Sequence, residues 1–229
     1  MLIWLVEIIW PQFGVNGIIR HLGLHYVDAS HFNPAQIITY MFVHDQNTFF
    51  HVFFNMLTLF FFGPMLENLW GAKKFIFYYM VCGVGAALVQ EGVWALTWKE
   101  EYIDGIAKLN LITKAEASAL VDKYLAAGDS GILSAIDAFK NQMVTIGASG
   151  AIFGILLGFA FIFPNMPLYL FFIPVPIKAK YMVAGYAVIE FFCGVSGQMS
   201  TVAHFAHLGG MLFGLVLLLW WRHKGKLRW

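Results

Sequence analysis

Charge is scarce in this sequence. Asp, Glu, Lys and Arg make up 12% of the 229 residues, where a soluble domain carries roughly 25%. Basic clusters are scarcer still: 14 Lys and Arg nearly balance 13 Asp and Glu, for a net charge of +1. That excludes the dense, phosphate-matching patch that nucleic acid requires. There are two cysteines, Cys82 and Cys193, both inside apolar runs. They exclude a disulfide framework and a Cys-rich metal site. Internal repeats and low-complexity tracts are absent. What fills the chain instead is apolar: 60% hydrophobic and 17% aromatic residues, with a mean hydropathy of +0.71. Disordered chains have the opposite composition. A soluble fold of this length leaves too much surface in water to hide so many apolar side chains. The solvent for most of the chain is therefore lipid.

A spanning helix needs about 20 mostly apolar residues. The runs at 50–70, 73–96, 144–163, 167–193 and 201–221 meet that need. Met1 to Trp10 is too short to cross alone and reads as one end of a first span. It carries Glu7 and no basic leader, unlike a signal peptide. The expected fold is all-α, a polytopic membrane bundle of six transmembrane helices. Residues 1–222 form the membrane domain and 223–229 a basic cytoplasmic tail. Residues 11–49, with Pro11, Gly14, Gly17, Asn33 and Pro34, read as an irregular loop. Residues 97–143 hold most of the acidic side chains and read as a polar outer-loop insertion with its own helix. Thr113 and Glu116 fit a capping box ahead of Leu120, Val121, Tyr124 and Leu125, and Gly128 to Gly131 end that helix.

Basic residues in short loops stay cytoplasmic. Lys73, Lys74, Lys178, Lys180, Arg222, Lys224, Lys226 and Arg228 all fall on one side of a six-span chain. The other basic residues sit in the two long outer segments, where the rule counts little. The expectation is a multi-pass protein of a bacterial inner membrane with cytoplasmic termini. Spans two, four and six then run from outside to inside.

Polar groups inside spans are costly, so each is a functional hypothesis. Three clusters open the three inward-running spans: His51 with Asn55, Gly147-Ala148-Ser149-Gly150, and His204 with His207, followed by Gly209, Gly210 and Gly214. At about 1.5 Å rise per residue, Ser149, His207 and Asn55 reach one level of the outer leaflet. A serine beside a histidine makes an activated nucleophile. The Asn55 amide, the His51 ring and the Ser149 backbone N–H are candidate donors to an oxyanion. Gly147 and Gly150 permit close backbone approach. Gly210 and Gly214 form a small-x-x-x-small pair that lets span six press on another helix, expected to be span four. Glu91 and Glu190 lie toward outer span ends and are not expected to meet His207, so the reading is a Ser–His dyad rather than a triad. His204 falls on a neighbouring face and reads as structural; His44 reads as pinning the first loop. Phe60, Phe61 and Phe62 read as lipid-facing bulk.

The sequence resembles the rhomboid intramembrane serine proteases. The resemblance rests on His51-Val-Phe-Phe-Asn55, on Gly147-Ala148-Ser149-Gly150-Ala151-Ile152-Phe153-Gly154, and on Ala206-His207-Leu208-Gly209-Gly210 with Gly214. It covers about residues 36–221. It implies Ser149 as nucleophile and His207 as general base. It further implies His51 and Asn55 as oxyanion stabilisers, with main-chain groups around Gly147 and Ala148, and Phe153 stacked on the catalytic imidazole. The implied activity is cleavage of transmembrane helices of other membrane proteins, without metal or cofactor. A non-catalytic, rhomboid-like binder of membrane helices is a second reading. A metal enzyme using His44, His51, His204 and His207 is a third; it lacks a His-Glu-x-x-His motif. Neither oligomeric state nor substrate identity is legible.

Overall fold

In hydrocarbon a backbone must satisfy its own hydrogen bonds, so apolar runs become helices. The structure, a computed structural model, describes residues 15–44, 49–170, 173–196 and 203–227. The expected first-span stretch Met1–Trp10 lies outside those residues. The described chain opens with α1 (Val15–Leu22), a two-residue strand β1 (Leu24–His25), the short α2 (Gln36–Thr39) and a 3-10 turn at Tyr40–Phe42. The bundle follows: α3 (Phe49–Trp70) and the 39-residue α4 (Ala72–Asn110). After two helices of the insertion come α7 (Ser149–Ile162), α8 (Ala179–Ser196) and α9 (His204–His223). Helices α3, α4 and α9 are long and apolar enough to cross a membrane. The architecture is a polytopic helical membrane bundle.

Helix α7 is the buried axis. Ten of its fourteen residues are buried, and α3, α4, α8 and α9 surround it. Glycines bring the backbones together there. A Cβ on Gly154 would lie 2.4 Å from Cys82 Sγ, and one on Gly210 only 1.8 Å from the carbonyl oxygen of Gly150. Tyr78 Oη donates to the Gly154 carbonyl at 2.8 Å, joining α4 to α7. Toward the inner end Trp70 stacks edge-on against both Tyr78 and Trp221. Phe60 and Phe61 are exposed as expected. Phe62 is not: its ring packs edge-on against Phe159 at 4.7 Å.

Three stretches depart from the sequence expectation. Residues 97–110 do not leave the helix of the third span, for α4 continues to Asn110. Residues 167–178 do not begin span five: β3 (Pro167–Leu170) and β4 (Ile173–Lys178) pair as antiparallel strands, with Leu168 opposite Ile177. Pro174 and Pro176 remove backbone donors and push their preceding residues away from helical angles, so the span starts only at Ala179. Span four likewise begins at Ser149, because Val144 and Thr145 form strand β2, paired with β1.

Beyond α4, the insertion holds two further helices, α5 (Lys114–Ala126) and α6 (Ser130–Gln142). Helix α5 starts with the expected capping box, Thr113 with Glu116. Gly128, at φ +64°, ends it. Asp129 does not merely prolong the stop: its carboxylate accepts from the Ile132 N–H at 2.9 Å and starts α6. Helix α6 clasps the first loop. The Ser30 hydroxyl and N–H donate to Asp137 at 2.7 and 2.9 Å, and the His31 N–H donates to Asn141 at 2.9 Å. The Ser30 donors hold the Asp137 carboxyl below its usual range. Lys140 pairs with Asp28 while its ammonium lies 4.2 Å over the Trp98 ring. Inside the loop, buried Gln36 accepts from the His25 N–H and donates to the His31 carbonyl at 2.9 Å. The first loop is thus a fixed plate over the bundle, tied through β1 and β2 to the residues just before Ser149.

Candidate active site

Ser149 is the first residue of α7, where backbone N–H groups lack intrahelical partners and the helix dipole favours negative charge. Ala148, its N-cap, is buried. Gly147 stands before them at φ +117°, a conformation that glycine alone adopts readily. Its N–H donates to the Tyr40 carbonyl at 2.9 Å, fixing the turn to the first loop. A Cβ on Gly147 would lie 2.9 Å from His51 Nε2 and 3.7 Å from Ser149 Oγ. The missing side chain therefore leaves room between the His51 edge and the serine hydroxyl.

Helix α9 supplies the imidazole. His207 Nε2 lies 2.8 Å from Ser149 Oγ. The Phe153 ring, one turn after the serine, lies flat on the His207 ring at 4.2 Å and 4°. The approach depends on Gly150 and Gly210, whose backbones touch. Gly214 has a different neighbour from the one expected: a Cβ there would meet Tyr78 Oη and Cys82 Sγ of α4. The glycine pair thus seats α9 against α7 at one position and against α4 at the next turn.

His51 and Asn55 share a face of α3, one turn apart. Asn55 is buried, and its Nδ2 makes no hydrogen bond to any described residue. A buried amide donor without a partner is expensive in a finished fold and is free to serve an oxyanion formed at Ser149. As a test of that role, Asn55→Ala is expected to lower kcat for acyl transfer by about 10²–10³-fold with little change in KM, read from steady-state rates. His44 does not pin the loop by hydrogen bonding. It is buried against His51, ring centres 5.6 Å apart, with neither ring nitrogen bonded to a described residue. Burial pushes its imidazole down to about 4.

The largest correction concerns carboxylates. Glu190 on α8 does reach the level of Ser149 and His207: its Oε2 lies 3.0 Å from His207 Nδ1 and 2.6 Å from His204 Nδ1. The His207 contact is close but too oblique for a well-formed hydrogen bond. His204, expected on a separate face, shares the same oxygen. The signal available was Glu190 itself, a carboxylate in an apolar run, which must find partners in lipid. Glu91 stays apart, its carboxylate accepting from the Val27 N–H at 2.8 Å. Among the described residues no three His, Cys, Asp or Glu are grouped as metal ligands.

Residues 31–224 match the family model of the Rhomboid domain. The chain belongs to the rhomboid family. It is 28% identical over 199 residues to Rhomboid protein 1, mitochondrial, of Saccharomyces cerevisiae. The alignment covers 84% of this chain, which spans only 43% of the length of that relative. No solved structure gives a significant match. The rhomboid match contains the serine turn, the α3 pair, the histidines of α9 and Glu190, together with the outer insertion of this rhomboid.

Proposed function

We propose that this rhomboid is an intramembrane serine endopeptidase that cleaves transmembrane segments of other membrane proteins. The observation that carries the reading is the 2.8 Å contact between Ser149 Oγ and His207 Nε2, beside the unpartnered amide of Asn55. In the proposed reaction His207 Nε2 takes the hydroxyl proton as Oγ bonds the scissile carbonyl carbon. The carbonyl electron pair moves onto oxygen, which faces Asn55, His51 and the N-terminal amides of α7. Collapse breaks the C–N bond, and the proton on Nε2 passes to the leaving amine. Water then repeats the sequence on the acyl-enzyme, with His207 again taking the proton. These steps use only side chains and main chain, and the proposed reaction needs no cofactor.

Substrate helices would meet Ser149 near the outer leaflet, with the termini of this chain cytoplasmic, as its inner-loop lysines and arginines favour. The test is covalent. The purified protein is incubated with a fluorophosphonate and, separately, with a single-span substrate. The expected result is one adduct, on the Ser149 peptide, and loss of cleavage in proportion to labelling. Cleavage that survives full labelling would overturn the assignment. Binding of the substrate with neither adduct nor cleavage would establish the non-catalytic binder instead.

A further inference from the structure

Among the described residues, Glu190 is the acidic side chain that meets the proposed base, and the proposed reaction leaves it without a task. It sits on α8, whose sole buried side chains are Ala179 and Val183, while its own side chain is only 13% exposed. A carboxylate pointing inward from a loosely packed helix must be held by what it meets. It meets two imidazoles, both through Nδ1, on one oxygen.

The tautomer follows from the serine. With Nε2 accepting the Ser149 hydroxyl, neutral His207 carries its proton on Nδ1, the nitrogen facing Glu190. When Nε2 gains the serine proton, both nitrogens are protonated and the ring is positively charged. A carboxylate 3.0 Å from Nδ1 stabilises that cation. The shorter His204 contact, 2.6 Å, holds the carboxylate in place, and Phe153 blocks the ring from tipping. From this geometry we infer that Glu190 is a positioning residue: hydrogen-bonded to His204, it stands beside Nδ1 of His207 and balances the charge formed there when Nε2 takes the serine proton, adding a carboxylate to the Ser149–His207 pair with His204 as its anchor. The inference rests on the proposed protease activity.

Among the described residues, the titratable groups facing His207 are Glu190 on α8 and Ser149 on α7, with His204 sharing the Glu190 oxygen and Tyr186 of α8 against the Phe153 ring. Replacing Glu190 removes the carboxylate among them. The test compares the full-length parent with Glu190→Gln, Glu190→Asp and Glu190→Leu, on one single-span substrate, with kcat, KM and melting temperature for each. Glu190→Gln keeps the shape and loses the charge. It is expected to lower kcat at least tenfold, below the roughly 10⁴-fold cost of losing a fully aligned orienting carboxylate, with KM held within twofold. The loss falls on kcat because the imidazolium formed during proton transfer has lost its counter-charge. Glu190→Asp recovers part of the rate. A Glu190→Gln protein as active as the parent overturns the inference and leaves the protease reading standing. Equal losses in all three variants that follow the melting temperature, without recovery in Glu190→Asp, mean helix packing alone and also overturn it. A parent that neither cleaves nor takes the serine label overturns both readings together.

Discussion

Ser149→Ala is expected to reduce cleavage of a single-span substrate by at least about 10⁴-fold, to the limit of product detection. Removing a serine nucleophile elsewhere costs roughly 10⁶ in kcat, and the oxyanion donors and binding contacts left behind still give about 10³–10⁴ over water. Those retained contributions cannot substitute here, because without Oγ no acyl-enzyme forms and the reaction must wait for direct attack by water. The variant is a clean one. Ser149 is the first residue of α7, its hydroxyl contacts His207 Nε2 at 2.8 Å, and alanine suits a helix start facing small neighbours. Its melting temperature should stay within a few degrees of the parent, and substrate should still bind. Product quantified over hours against the parent decides the matter: cleavage within tenfold of the parent would remove Ser149 from the chemistry.

The second large effect is on the fold itself. Gly210→Val should destabilise the bundle by at least about 3 kcal/mol, the upper range for overpacking a well-filled core. A Cβ at Gly210 would stand 1.8 Å from the oxygen and 2.7 Å from the carbon of the Gly150 carbonyl. That neighbour is backbone, held in the first turn of α7, and cannot rotate aside like a side chain. Relief requires α9 to back away, which takes His207 from Ser149. The expected outcome is a lower melting temperature in detergent together with lost activity in whatever folds. Gly185→Ala on α8 is the control, since nothing lies within 4 Å of a Cβ there; its change should stay within about 1 kcal/mol. A Gly210→Val protein as stable as that control would contradict the helix contact.

The parts legible in the sequence are those that a local pattern specifies. Apolar run length located α3 and α9 to within a few residues. The Thr113–Glu116 capping box marked the start of α5, because both reciprocal bonds lie within four residues. Ser149, His207 and Asn55 were conspicuous since spans carry few polar groups, and the three share a depth once span direction is assigned. What stayed hidden depends on contacts distant in sequence or on signals that compete. The apolar residues of 167–178 satisfied a hydropathy window, while Pro174 and Pro176 decided the local backbone. Helix α6 was hidden because Asp129 follows Gly128 directly, so one loop signature served both a stop and a start. Glu190 is seventeen residues from His207 and on another helix. Depth along the membrane is readable from a helix, but rotation about its axis depends on packing. The same limit applies to Gln36, whose carbonyl partners are scattered over the first loop.

The brevity of α7 has a consequence for the backbone that opens it. Fourteen helical residues extend about 21 Å at 1.5 Å per residue, some 9 Å less than a typical hydrocarbon thickness of about 30 Å. The helix that carries Ser149 therefore does not match the bilayer's depth, and its first turn is continued by residues 145–148 and the plate formed by the first loop. Because α3, α4, α8 and α9 surround α7, that shortfall is enclosed by protein and not by hydrocarbon. Backbone outside a helix is tolerated at membrane depth where it is buried in protein, and the N–H groups that open α7 meet that condition.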